Sequence, residues 1–382
     1  MTARKRFIVK KKNISDALAG LPELEVLDDQ YIELDIFIGA CGFEERILAV
    51  PTALIERKVK VNQKILLGVY ETNPSDNNKR KKELIPKLKK LGKVIEYFDA
   101  ESPEETYRAV SVAIGERSNG QAIKVGLDIS GSSATLIMSV IFSLIRTGVD
   151  INLRIFYTTA ALYHEPTAAS LDEPVAVWSP SDLREVGVID VSANELAPGI
   201  QHDHLPSYVI ALPSMFPARL QRGLSFLGIG TLSGADENVY WVLPTTDDPK
   251  HQWRQEQVKH SLLDMIYGDS EGETPPVLPA EQWGHCDVLD YRGCIRLIMN
   301  QIESHSSSNI SVIHSGTKVQ AVGVALALSA RREVALIKSR PQSFSADHYS
   351  GGVGSIYMIH INSLQGVTLA LSEVGSFNVE NN

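Results

Sequence analysis

Two α/β lobes in tandem, each a parallel sheet with helices on both faces, are the architecture this sequence predicts. Three observations carry that expectation. Strand-like apolar runs alternate with segments of helical spacing along most of the chain. The runs are almost continuously apolar, as parallel strands buried on both faces are. The whole order of elements then occurs a second time, with small polar turns at corresponding places. A chain of 382 residues exceeds the size at which one core keeps growing, which fits two lobes. With 43% hydrophobic and 22% charged residues, each half can bury a core, and the signature of disorder is missing.

The elements of the first lobe follow in order. ELDIFIGA from Glu33 reads as a strand, CGFEER as a turn and ILAVPTALIERK as a helix despite Pro51. KILLGVY is the second strand, and SDNNKRKKELIPKLKKLG has helical apolar spacing and a closing glycine. KVIEYF is the third strand. SPEETYRAVSVAI opens with serine, then proline and acidic residues, the composition of a helix N-terminus. IKVGLDIS is a fourth strand running into the apolar helix GSSATLIMSVIFSLIRTG, and INLRIFYTT is the fifth.

The second lobe repeats the series. SYVIALP is a strand and SMFPARLQRGLSFL its turn and helix, so Phe216, Pro217, Ala218 and Arg219 stand where Phe43, Glu44, Glu45 and Arg46 stood. NVYWVLPTTDDP matches ILLGVYETNPSD, and HQWRQEQVKHSLLDMIY is a long helix. The strand CDVLDY and the helix RGCIRLIMNQI lead to NISVIHSGTKVQAVGVALALSARREVALI, which matches the fourth strand, apolar helix and fifth strand of the first lobe. A Gly-, Pro- and Glu-rich insertion over 268–283, expected on the surface, reconciles the two spacings. Residues 1–172 form the first lobe, 173–206 the linker and 207–382 the second lobe; DLREVGVIDVS within the linker can add a strand. After Arg340, SIYMIHI and GVTLALSEV read as a C-terminal β-hairpin. Right-handed crossovers then place helices on both faces of each sheet.

Composition narrows the function classes. The three cysteines, Cys41, Cys286 and Cys294, form no CxxC pair, which points away from a zinc site or disulfide framework and toward a reducing cytosol. The basic N-terminus is not followed by the uninterrupted apolar run of a signal peptide, and no stretch approaches the length of a membrane span, so a cytoplasmic protein without membrane contact is expected. A net charge of −9 speaks against a surface that is a nucleic-acid platform as a whole. The basic run through Lys79, Arg80, Lys81, Lys82, Lys87, Lys89, Lys90 and Lys93 reads either as a solvated helix face or as a nucleic-acid or partner contact.

Ligands of open parallel sheets bind beyond the carboxyl ends of the strands. Two clusters stand there: Asp128 with Ser130, Gly131 and Ser132, and His314 with Ser315, Gly316, Thr317 and Lys318. Glycine admits close approach, hydroxyls donate hydrogen bonds, and free helix-start amides favour phosphate. The alternative is a pair of ordinary strand-to-helix turns with serine caps. Lys318, expected to be exposed, adds positive charge in the second lobe only. Arg46 and Arg219 sit at matching first-strand exits, where a guanidinium grips phosphate or forms an ion pair with Glu44 or Glu45. No P-loop, nucleophile elbow, paired-carboxylate motif or metal-ligand spacing is present, so neither a catalytic residue nor a metal or cofactor is assigned.

ISVIHSGTKVQAVGVALALSA resembles the strand-loop-helix motif of CARF domains, Rossmann-like sensors associated with CRISPR defence, in which a Gly-[Thr/Ser]-Lys turn contacts a cyclic oligonucleotide. VGLDISGSSATLIMSVIFSLI is similar to it without the lysine, and paired lobes of this kind occur in SAVED sensors of antiphage systems. The resemblance implies two tandem CARF-like lobes and ligand contacts from Ser130, Gly131, Ser132, Ser315, Gly316, Thr317 and Lys318. It also implies a nucleotide or cyclic oligonucleotide as ligand and a separate effector, a nuclease or ATPase, in an oligomer or hetero-complex. Ser132 and Ser133 replace Thr-Lys in the first lobe, so the two halves do not bind a symmetric ligand alike. VGLDISGSSAT also resembles the phosphoribosyltransferase loop, with only Asp128 where that family has two acids. A phosphoribosyltransferase-like or nucleotide-cleaving enzyme and a structural subunit are the competing expectations.

Overall fold

A computed structural model describes residues 8–11, 13–28, 31–115, 122–163, 185–230, 237–268, 278–344, 350–375 and 377–380. The chain enters through β1 (Ile8–Lys11), α1 (Ile14–Ala19) and β2 (Glu25–Val26). The first parallel series follows as β3 (Leu34–Cys41), α2 (Ala49–Glu56), β4 (Val61–Val69), α3 (Pro74–Leu91), β5 (Ile95–Asp99), α4 (Pro103–Gly115), β6 (Ile123–Asp128), α5 (Ala134–Arg146) and β7 (Ile151–Thr158). After β8 (Glu185–Ala193) the second series runs β9 (Ser207–Leu212), α6 (Ala218–Phe226), β10 (Val239–Thr245), α7 (Gln252–Tyr267), β11 (Trp283–Asp287), α8 (Tyr291–Ser304), β12 (Asn309–His314), α9 (Lys318–Ala330) and β13 (Ala335–Phe344). β14 (Ile356–Ile361), α10 (Leu364–Ser372) and β15 (Phe377–Glu380) complete it.

The parallel strands lie in the order β5-β4-β3-β6-β7 in one sheet and β11-β10-β9-β12-β13 in the other. These are the same winding, and the register agrees: Ile36 pairs with Val125 as Val209 pairs with Ser311. The chain therefore builds two Rossmann-like lobes, as the duplicated sequence pattern requires. Local chemistry marks the helix starts. Ser133 caps α5 by accepting from the Leu136 amide, and Thr317 caps α9 in a box with Gln320.

The edges of the sheets hold a feature the sequence hides. β8 follows the first lobe in the chain but pairs antiparallel with β13 of the second sheet. β14 follows the second lobe but pairs antiparallel with β7 of the first, and β2 pairs on its far side. The exchange is reciprocal in register, Ile337 opposite Ala193 and Ile155 opposite Ile359. Residues of the expected 173–206 linker thus include a sheet strand, and each lobe closes the other's edge.

The expected C-terminal β-hairpin is not formed. Residues 364–372 are a helix, because Leu364, Val367 and Leu371 recur at helical spacing and the Ser363 hydroxyl accepts from the Gly366 amide. The third strand of the second lobe, Trp283–Asp287, begins three residues before CDVLDY and takes in only its first two residues; the next three form the turn in which Asp290 caps α8. Of the insertion, 269–277 lies outside the described residues, and Leu278 is buried in the second lobe.

One core runs through both lobes. Ile36, Ile38 and Ala40 of β3 face it together with Tyr208, Ile210 and Leu212 of β9, while Phe37 and Val209 face separate outer cores. α5 and α9 pack against each other at its centre, and α9 is buried from Val319 to Ser329, as a helix apolar all round must be. Gly323 permits the close crossing of α8 and α9: a Cβ there would stand 2.6 Å from the Tyr291 carbonyl oxygen. Among the described residues, no helix is long and apolar enough to cross a membrane.

Candidate functional site between the lobes

Each strand order reverses beside its first strand, between β3 and β6 and between β9 and β12. The turns leaving these strands carry the residues singled out in the sequence. Five residues, 129–133, separate β6 from α5, but only three, 315–317, separate β12 from α9. Gly131 therefore lies two residues before its helix cap and Gly316 one before, so the loops correspond while the glycines do not. Lys318 is the first residue of α9, in the place Ala134 takes in α5.

In the first lobe the turn is held tightly. The Asp128 carboxylate accepts from the Ser130 amide at 2.9 Å, the Ser130 hydroxyl accepts from the Thr158 amide at 2.9 Å, and the Ser132 hydroxyl donates to the Asp128 carbonyl at 3.1 Å. Gly131 is required by packing, since a Cβ would stand 2.5 Å from Ile47. The Tyr70 hydroxyl accepts from the Ser133 amide at 2.7 Å. Burial pushes the Asp128 carboxyl up to about 6, against the opposing pull of its Ser130 bonds and of Arg46 and Lys318.

Arg46 is buried beside Glu44, at 2.6 Å. It also donates to the Thr158 carbonyl at 3.2 Å and to the hydroxyls of Tyr157 and Tyr163 at 3.4 and 3.5 Å. The ion-pair alternative for this arginine is thus realised with Glu44. Burial alone would raise the Glu44 carboxyl; Arg46, Lys318 and a 2.6 Å bond from the Ser350 hydroxyl together hold it below the usual carboxylate range.

Lys318 crosses from the second lobe into this cluster. Its Nζ donates to the Ser132 carbonyl at 2.7 Å and lies 3.8 Å from Glu44. The side chain is 18% exposed, and the expectation of an exposed lysine is corrected: the interlobe packing of α5 and α9 covers the start of α9. Burial pulls its ammonium down to about 8, partly opposed by Glu44. Arg254 of α7 stacks over the Tyr163 ring at 4.0 Å, and the His251 ring meets that ring edge-on. Burial would raise the Tyr163 phenol, but Arg46 at its hydroxyl and Arg254 over its ring favour the ionised form.

The second-lobe turn differs. Thr317 Oγ1 donates to the Val288 carbonyl at 2.9 Å while capping α9, and the Ser315 amide donates to the Leu212 carbonyl. The Ser315 hydroxyl and the Gln320 amide nitrogen are buried without a hydrogen-bond partner. His314, at the place of Asp128, makes no well-aligned hydrogen bond through its ring, although the Thr317 backbone lies near enough to favour protonation slightly. Burial, reinforced by Arg219, outweighs that and takes its pKa down to about 3, so the ring is neutral.

The structure thus gathers Arg46, Asp128, residues 130–132 and Lys318 into one interlobe cluster. Arg219 lies instead on the second-lobe side, electrostatically coupled to His314. Tyr70, Tyr163, Arg254 and Ser350 join the cluster without any local sequence signal, because distant elements bring them in. Among the described residues, no group of three or more His, Cys, Asp or Glu is placed to hold a metal ion. A surface groove of about 940 Å³ lies elsewhere, at the opposite ends of the central helices, lined by Arg146, Arg332, Gln365 and Leu369. The C-terminal ends of α5 and α9 present carbonyls there, and those of Ile145 and, just past α5, Val149 accept from the Gln365 side chain.

No family model and no curated protein matches the chain. Among solved structures it is similar to the cytoplasmic domain of a prokaryotic cation chloride cotransporter, at 9% identity and a TM-score of 0.21, over 84% of this chain and 98% of that one. It is similar also to the GsuK channel bound to NAD, at 11% identity and a TM-score of 0.17, over 92% and 80%. Neither score is high enough to bear on fold or function.

Proposed function

We propose that the interlobe cluster binds a phosphate-bearing nucleotide, of the cyclic-oligonucleotide class, and that the chain is the sensor or regulatory subunit of a prokaryotic antiphage system whose effector is a separate nuclease or ATPase. The observation that carries this reading is the meeting of two switch-point turns through Lys318, whose Nζ reaches the Ser132 carbonyl of the other lobe. Arg46, Arg254 and Lys318 there face Glu44 and a carboxyl, Asp128, that burial inclines toward protonation, an arrangement that favours an anion. A ligand phosphate competing for Lys318 would loosen the Ser132 bond, which gives binding a route to shift one lobe against the other. Native mass spectrometry of the protein purified with its genomic neighbours tests this. A retained nucleotide and a partner whose association depends on it support the reading; a ligand-free chain that remains alone with cyclic oligonucleotides added contradicts it.

One observation favours a second reading, a structural subunit with a closed site. Ser130, Ser132 and Asp128 all have intramolecular hydrogen-bond partners, and Arg46 already faces Glu44. In that case no nucleotide is retained while the partner still binds.

A further inference from the structure

We infer that the outer face of α3 is a docking surface for the phosphate backbone of a nucleic-acid duplex, separate from the interlobe cluster. Between Lys79 and Lys93 the sequence has eight basic residues and one acidic residue, in a chain of net charge −9. The helix turns Asn77, Leu84, Leu88 and Leu91 inward, which leaves Lys79, Lys82, Lys89 and Lys90 exposed on the other side, with Lys93 beyond the helix end. The nearby acids are engaged: Glu83 pairs with Arg80 at 3.0 Å and Glu96 with Lys64 at 2.7 Å, while Asp76 stands at the far, N-terminal turn beside Asn73. Among the described residues, no carboxylate pairs with Lys79, Lys82, Lys89, Lys90 or Lys93. Lys60 extends the array, its Nζ donating to the Lys90 carbonyl at 2.9 Å.

A solvated helix with basic residues complementing its C-terminal dipole accounts for Lys89 and Lys90. It does not account for Lys79 and Lys82, which lie in the N-terminal half, beyond the last turn where the dipole acts. The chemistry of the face selects its partner. Protein interfaces have apolar centres and are depleted in lysine, whereas this face is lysine-rich. Single-strand sites need stacking platforms. The exposed aromatic here, Tyr97 at 51%, already has the Lys81 ammonium over its ring at 4.7 Å. Hydrated point charges spread over one broad face along about 17 Å of helix suit the phosphates of roughly five base pairs.

The test is fluorescence anisotropy of the full chain with a labelled 20-base-pair DNA of arbitrary sequence. If about five phosphates are neutralised, affinity should fall roughly several-hundredfold between 50 and 200 mM salt. The triple substitution Lys82→Glu, Lys89→Glu, Lys93→Glu should weaken binding at least about thirtyfold at the lower salt, and its melting temperature should stay within a few degrees of wild type because the side chains are exposed. Absence of binding at 50 mM salt overturns the inference, as does binding that the triple variant retains. Tighter binding of single strands overturns it too, and more effective competition by poly-glutamate than by DNA would assign the face to an acidic protein.

Discussion

Replacing Lys318 with Met keeps the aliphatic stem and removes the ammonium, which isolates the charge as the perturbed quantity. In the folded chain that ammonium titrates near 8, against an ordinary value of 10.5. A depressed lysine pKa means that the unfolded chain binds the extra proton between those values, so wild-type stability rises with pH across that window and is lost as pH falls back through 8. The full shift corresponds to about 3 kcal/mol, and since the side chain is 18% exposed the realised gain should be nearer about 2 kcal/mol. Urea midpoints at pH 7, 8, 9 and 10 for wild type and variant measure it, because other titrating groups largely cancel in the difference. At pH 7 the lost bond to Ser132 and the relieved burial of charge oppose each other, and the two proteins should differ by only about 1 kcal/mol. The gap should then widen with pH in favour of wild type. A difference that stays flat from pH 7 to 10 would show that Lys318 is solvated and does not tie the lobes.

Asp128→Asn keeps an acceptor for the Ser130 amide but removes a buried carboxylate whose pKa is raised to about 6. Wild-type stability should fall by about 2 to 3 kcal/mol as pH rises from 4 to 6; the variant should lack that fall and unfold at higher urea at pH 7. Gly323→Ala places a Cβ against the Tyr291 carbonyl and Cys294, and thermal melting should report a loss of about 1 to 3 kcal/mol. Truncation after residue 350 removes β14 and α10, and hydrogen exchange should show lost protection of residues 155–157 in the first lobe. Protection unchanged there would contradict the strand exchange.

Where sequence and structure agree, short-range chemistry decided the outcome. Ser133 caps its helix as a serine-capped turn does, and the alignment of Phe43 with Phe216 matches the observed register of β3 and β9. The closing segment was illegible for a local reason: Val367, Thr368 and Leu369 suit a strand in isolation, while the spacing of Leu364 and Leu371 is helical. The exchange of β8 and β14 was illegible for a global one. Antiparallel pairing across the two lobes joins residues far apart in sequence, and nothing in either strand names its partner. Lys318 shows the same limit at the site. A lysine opening a helix reads as solvated until the packing of α5 on α9 places it beside Ser132 and Glu44. The loop lengths, five residues against three, explain why matching glycines misaligned the two turns.

Calorimetric titration of the whole chain with a panel of cyclic oligonucleotides, linear nucleotides and phosphoribosyl pyrophosphate tests the central claim most directly when run on wild type and on Lys318→Ala. Binding of a cyclic oligonucleotide is expected, weakened by about 1.5 to 3 kcal/mol in the variant, which is roughly ten- to more than a hundredfold in affinity. Equal affinity in both proteins for every ligand that binds, or no binding of any, would contradict a nucleotide site between the lobes.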